Sequence, residues 1–316
     1  MPYPRMRSNS ASPDMSIHSQ ALTLEELALL PLAGVPAHRA VRTFASVEAE
    51  AEAAPRALVL RGHDGVGAMA VQMLARRGWR VCVHVPVPTR LATIPGVSRS
   101  YIDEDSRRTK YLQQTEEVIR SWGAEEVLFV RQHDDDAEGR DGAIKIMERL
   151  MEADERFDGV LDMIGGKEVW DAGEALLASG SDGRESQFTT LVGDSPDRIV
   201  PSTSDLFKTG VRATKKHGTS SSVVNRRYST DSGSTEGRKK TKAKVGYAWV
   251  IINQDVDWQG EDIADSLRAV IRGAAVDDGV RPLVTGDKIV PFEKAPDLFI
   301  GGLLESGGTV VVNVVS

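Results

Sequence analysis

The groups best placed to do chemistry are the backbone amides of a glycine cluster, Leu60-Arg61-Gly62-His63-Asp64-Gly65-Val66-Gly67-Ala68-Met69-Ala70. The run ALVLR before it has the apolar character of a buried strand, and GAMAVQMLARRG after it has helical spacing. Gly62 permits a tight turn, and Gly67 and Ala70 let the helix lie close on the strand. The start of the helix offers unpaired N–H groups and a positive dipole end to a pyrophosphate. In the pattern G-x-G-x-x-G the middle position is Asp64. Its carboxylate opposes a phosphate if it stays at the turn, and leaves room if it turns outward or caps the helix. His63 could contact phosphate or hand a proton to a substrate, although a plain turn residue is the simpler account. Gly62, His63, Asp64, Gly65, Val66 and Gly67 therefore form the phosphate-facing set.

The next strand ends His84-Val85-Pro86-Val87-Pro88, without the acid that would hold the ribose hydroxyls of NAD(H). Arg90 follows and Lys110 lies in the next helix, so positive charge is available for a 2′-phosphate, which favours NADP(H) over NAD(H). Each of these cations, like Arg107 and Arg108, reads equally as an ordinary surface charge. Asp162 and Glu168 flank the turn DMIGGKE. They read either as an acid/base pair or, more simply, as a strand end and a helix start. The one cysteine, Cys82, sits in WRVCVHV and reads as a buried thiol. The six histidines, at 18, 38, 63, 84, 133 and 217, show no ligand spacing, so neither zinc nor any other metal is expected. No residue is assigned as catalytic.

Short apolar runs alternating with helical stretches must position these groups. After ALVLR come RVCVHVPV, EVLFV, FDGVLDMIGG, QFTTLVG and VGYAWVIINQ as strands, with RTKYLQQTEEVIRSWG, GAIKIMERLMEA, EVWDAGEALLAS and EDIADSLRAVIRGAA as helices. Continuous apolar strands between amphipathic helices predict an α/β fold, a doubly wound parallel sheet of about six strands. Upstream, Thr23 and Glu26 predict a capping box for a helix beginning near Leu24. Residues 1–20 read as a disordered tail, 21–54 as a linker helix region, 55–278 as the sheet domain and 279–316 as a short C-terminal α/β segment.

Charge is uneven along the chain. Residues 208–244 carry eleven Lys/Arg against Asp231 and Glu236, which leaves 28 basic against 44 acidic residues elsewhere. An acidic body with one basic Gly/Ser/Thr-rich stretch predicts a disordered insertion over 195–244, between strands five and six. Nucleic acid is not an expected partner, and Arg226-Arg227-Tyr228-Ser229 reads as a solvated charge run before it reads as a phosphorylation site. No run approaches the ~20 apolar residues of a spanning helix, and the start lacks a secretory signal. A cytoplasmic location with no membrane association is expected.

Several segments, in order, resemble the zinc-independent quinone oxidoreductase-like branch of the medium-chain dehydrogenases/reductases. LTLEELALLPLAGVPAHRAVRTF is similar to that family's linker helix, and GHDGVGAMAVQ, SWGAEEVL, FDGVLDMIGG and QFTTLVG are similar to its cofactor domain. VRPLVTGDKIVPFEKAPDLFIGGLLESGGTVVVNVV is similar to its C-terminal segment. The resemblance covers residues 22–316 less the insertion. It implies a Rossmann fold, NADP(H), and nicotinamide near Ile164, Gly165, Val192 and Gly193. It also implies hydride transfer to or from a carbonyl, enone or quinone, and a homodimer. The resemblance does not extend to the family's N-terminal GroES-like catalytic domain, which is expected to be missing. A cofactor-binding or interaction protein without turnover is therefore the alternative, which Asp64 and the long insertion favour. Val310 to Val315, which in the family completes that domain, must pair elsewhere, be covered by a second chain, or mark a truncated sequence.

Overall fold

The computed structural model describes residues 21–51, 53–87, 101–131, 139–179, 184–196, 244–251, 261–276, 278–284, 289–299 and 310–314, with isolated positions between 202 and 211. The tail 1–20, Arg90, Ser229 and most of the 195–244 insertion lie outside them. The chain enters through α1 (Leu24–Leu29), α2 (Val35–Arg42) and α3 (Ala45–Glu50). The expected capping box is present: the Thr23 hydroxyl accepts the Glu26 N–H at 3.2 Å and the Thr23 N–H donates to the Glu26 carboxylate at 2.8 Å. The linker is not one helix, however. A π-helical turn, Leu30–Gly34, separates α1 from α2, with Pro31 in its first turn and Pro36 in the first turn of α2. Neither proline has an N–H to continue an α-helical ladder.

Six strands form one parallel sheet: β1 (Arg56–Leu60), β2 (Arg80–Val87), β3 (Ala124–Arg131), β4 (Gly159–Asp162), β5 (Glu185–Thr190) and β6 (Lys244–Trp249). Their order is β3-β2-β1-β4-β5-β6. Helices α4 (Gly65–Arg76), α5 (Tyr101–Ser121), α6 (Arg140–Glu152), α7 (Lys167–Ser179) and α8 (Glu261–Ala275) cover it. Successive strand residues point to opposite faces. Accordingly Ala57 and Val59 pack with Val83, Leu74, Val41, Ile119 and Val270 on the side of α2, α4, α5 and α8. Leu58, Leu60 and Cys82 pack with Met147, Leu150, Trp170 and Phe188 on the side of α6 and α7. Two apolar cores on one sheet make the doubly wound fold that the strand pattern predicted. Cys82 is buried, and desolvation pushes its thiol well up, away from reactivity.

Polar bonds fasten the entry and exit segments to this body. Arg39, buried on α2, donates to Asp262 of α8 at 2.8 Å, and Arg42 reaches the other carboxylate oxygen at 2.7 Å. The Gln72 side chain of α4 pairs reciprocally with the backbone of Arg281, both bonds at 2.8 Å. Beyond it, β7 (Ile289–Pro291) and β8 (Val311–Asn313) form a separate two-stranded parallel sheet. The last strand thus pairs along one edge with β7 within the C-terminal segment. Among the described residues no helix is long and apolar enough to cross a membrane.

Candidate functional site

In this strand order the chain turns left from β1 to reach β2 and right to reach β4. Such a reversal opens a crevice at the carboxyl ends of the strands. Three consecutive strands, β1, β4 and β5, each end there in a glycine-containing turn.

The first turn joins β1 to α4. Its positive φ values fall on Arg61 (58°) and Gly65 (47°), not on Gly62. Gly62 is required for space instead: a Cβ there would lie 2.9 Å from side-chain carbons of both Val59 and Val83. Gly67 lets α4 descend onto the turn, since a Cβ there would stand 2.6 Å from the Arg61 carbonyl oxygen and 2.8 Å from the Gly62 Cα. Asp64 is the N-cap residue in an extended conformation, but its side chain makes no capping bond. The carboxylate stays at the turn, 20% exposed, 3.9 Å from His63 Nε2. Burial, above all, and then the charge of Asp64 raise the pKa of Tyr111 on α5. Val66 and Gly65 open α4, so the helix start keeps its donors directed at the crevice.

The second and third turns repeat one device. Asp162, the last residue of β4, is 1% exposed. Its Oδ1 accepts the N–H groups of Ile164 at 2.9 Å and Gly165 at 3.0 Å. Thr190, the last residue of β5 and in register with Asp162, accepts the N–H groups of Val192 at 3.1 Å and Gly193 at 3.0 Å on its hydroxyl. The turns are joined: the Gly166 N–H donates to the Gly193 carbonyl at 2.9 Å, and a Cβ on Gly165 would stand 2.5 Å from Val192. Gly165 and Gly193 both have φ near 81°, the left-handed region glycine tolerates. Arg140, at the start of α6, lies against Gly166 and faces Asp162. Of the two accounts of the Asp162–Glu168 pair, the geometry matches the structural one: Glu168 sits in the first turn of α7.

Gly62, His63, Asp64, Gly65, Val66 and Gly67 thus lie in the turn after β1, and Ile164, Gly165, Val192 and Gly193 in the joined turns after β4 and β5. Lys110 is exposed on α5, and Arg90 lies outside the described residues. Sequence reasoning missed Thr190, Arg140 and His84. The first had a readable signal, since Asp162-Met163-Ile164-Gly165 and Thr190-Leu191-Val192-Gly193 share one pattern. A cleft of about 1010 Å³ lies elsewhere, lined by Thr23, Gln72, Arg76, Trp122 and Arg281 among others.

His84 is fully buried on β2, where its Nδ1 accepts the Arg61 N–H at 3.4 Å. The other nitrogen then carries the proton and faces Gly142 of α6, with no partner among the described residues. Desolvation, and secondarily the charge of His63, push its pKa down to about 3 from the ordinary 6.5. In that window the unfolded chain binds the extra proton, so stability is greatest above pH 6.5 and falls as pH drops towards 3. His84→Leu should flatten this limb: urea midpoints measured at falling pH should decline less steeply than in the wild type. Parallel profiles would count against it.

No family model matches the sequence, and no curated protein matches it. Among solved structures the chain is similar to the CurF ER cyclopropanase from the curacin A biosynthetic pathway, with a TM-score of 0.53 and 13% identity over 92% of this chain and 62% of that one. It is similar to the JamJ enoyl reductase at a TM-score of 0.52 and 14% identity, covering 94% and 64%. It is likewise similar to the CurK enoyl reductase at 0.51 and 17%, covering 96% and 65%. This chain spans less than two thirds of each. At such identities the likeness shows the fold, a Rossmann-type α/β sheet.

Proposed function

We propose that the chain is the nucleotide-binding unit of an oxidoreductase that takes NADP(H) in preference to NAD(H) and serves hydride transfer to or from a carbonyl, enone or quinone, without zinc. One observation carries this: three backbone turns, after β1, β4 and β5, converge on the crevice where the strand order reverses. Gly62 and Gly67 let the turn and α4 close tightly on β1, and the start of α4 supplies donors for a pyrophosphate. The backbone fits the cofactor; the Asp64 carboxylate is the one group set against it. The nicotinamide, when bound, supplies the hydride. Ile164, Gly165, Val192 and Gly193 give it a donor-poor floor, because all four N–H groups are already engaged by Asp162 and Thr190. Enoyl reductases of like fold support this class of chemistry. Preference for the 2′-phosphate rests on the missing acid after β2 and on Arg90 and Lys110, and self-association and a cytoplasmic location belong to the same reading.

Asp64 favours a second reading, a scaffold that no longer turns over. Titration of the full chain with NADPH and NADH, followed by nucleotide fluorescence and thermal stability, separates the two. Saturable binding that prefers NADPH, followed by oxidation of bound NADPH on adding an enone or quinone, is the expected result. Binding without oxidation across such a panel selects the scaffold, and no binding of either nucleotide rejects the cofactor assignment.

A further inference from the structure

The ends of β4 and β5 hold a hydrogen-bonded unit that binding of a cofactor does not by itself require. Thr190 has one proton to give and two lone pairs to fill. Its hydroxyl accepts from Val192 and Gly193 and lies near enough to the Asp162 carboxylate to favour its charge. Asp162 receives the N–H groups of Ile164 and Gly165, with the Thr190 hydroxyl and the Arg140 guanidinium nearby. Each of these partners is a donor, which suits a carboxylate better than a carboxyl group. Burial alone raises the Asp162 pKa, and each of those partners opposes the rise. The residue is thus unsuited to exchanging protons with a substrate. It is suited to holding two turns in one fixed relation, because the Gly166–Gly193 backbone bond and the packing of Gly165 on Val192 link what Asp162 and Thr190 each fold.

We infer that Asp162 and Thr190 form one positioning unit, which fixes the 162–166 and 190–193 turns together and thereby sets affinity for the nicotinamide-ribose half of the nucleotide but not for its adenosine half. The inference rests on the cofactor reading above. The two turns follow β4 and β5, whereas the Gly62–Gly67 turn follows β1 and packs on Val59 and Val83, so loosening the pair leaves the other half of the site intact. A residue that merely supported the fold would weaken both halves alike.

The test uses Thr190→Val, which keeps the shape and removes the hydroxyl, with Thr190→Ser as the rescue. Calorimetric titrations compare NADPH with 2′,5′-ADP, which lacks the nicotinamide half. Thr190→Val is expected to weaken NADPH about tenfold, as loss of the acceptor for two N–H groups does, while 2′,5′-ADP binds as to the wild type and serine restores NADPH affinity. Asp162→Asn, which turns one acceptor into a donor, should give the same split and carries the test if Thr190→Val does not fold. Equal weakening of both probes, or of neither, overturns the positioning role alone. A wild type that binds neither probe nor NADH overturns the cofactor reading and this inference with it.

Discussion

Gly67→Val is expected to lower the free energy of unfolding by about 3 kcal/mol, read from urea denaturation, with a matching fall in melting temperature. The first side-chain carbon already stands 2.6 Å from the Arg61 carbonyl oxygen and 3.1 Å from the Gly62 carbonyl carbon. Backbone on both sides cannot rotate away as a flexible side chain would, so α4 itself must lift. Lifting it strains the packing of Met69, Ala70 and Leu74 in the core beneath. Gly273→Ala on α8 is the control, because its added carbon meets only Val280, at an ordinary 3.5 Å. There the gain in helix propensity is about 0.8–1 kcal/mol, so that variant should hold or gain stability. If Gly67→Val and Gly273→Ala unfold at the same urea concentration, the close approach of α4 to the turn is not what the glycine protects.

That contrast marks what the sequence could convey. The strands were legible because a parallel sheet covered on both faces demands continuous apolar runs, and RVCVHVPV and FDGVLD supply them. The turn at Gly62–Gly67 was legible because glycine is costly and its spacing is tied to a strand before and a helix after. Less legible was which glycine does what: left-handed φ at Arg61 rather than Gly62 depends on how Val59 and Val83 crowd the turn from two strands. The break between α1 and α2 was written in Pro31 and Pro36, yet a helical apolar period ran across it and masked it. Arg140 had no readable signal, as it reaches Asp162 only because α6 crosses from β3 to β4 above the crevice. Asp162 and Thr190 lie 28 positions apart and meet only through the β4–β5 register. Their shared pattern, a polar residue three before a glycine, is visible once the register is known and weak before it.

Asp64→Gly should tighten NADPH binding at least about tenfold, the equivalent of 1.4 kcal/mol, while leaving thermal stability nearly unchanged. Stability is spared because Asp64 makes no capping bond, and glycine is an adequate N-cap that costs only a few tenths of a kcal/mol. Its φ of −142° is extended backbone that any residue adopts. Affinity changes because the carboxylate remains at the turn, only 20% exposed, where like charges at contact repel by about 1 to 4 kcal/mol across the dielectric range of a protein surface. Asp64→Asn separates the two parts of this effect. If asparagine matches glycine, charge is the obstacle, and the gain over wild type should shrink as salt rises from 50 to 200 mM, roughly as a screened surface charge does. If only glycine tightens binding, the obstacle is the side chain between backbone and phosphate. If neither variant differs from the wild type, the carboxylate leans far enough towards Tyr111 to clear the phosphates, and the nucleotide already sees a complete glycine turn.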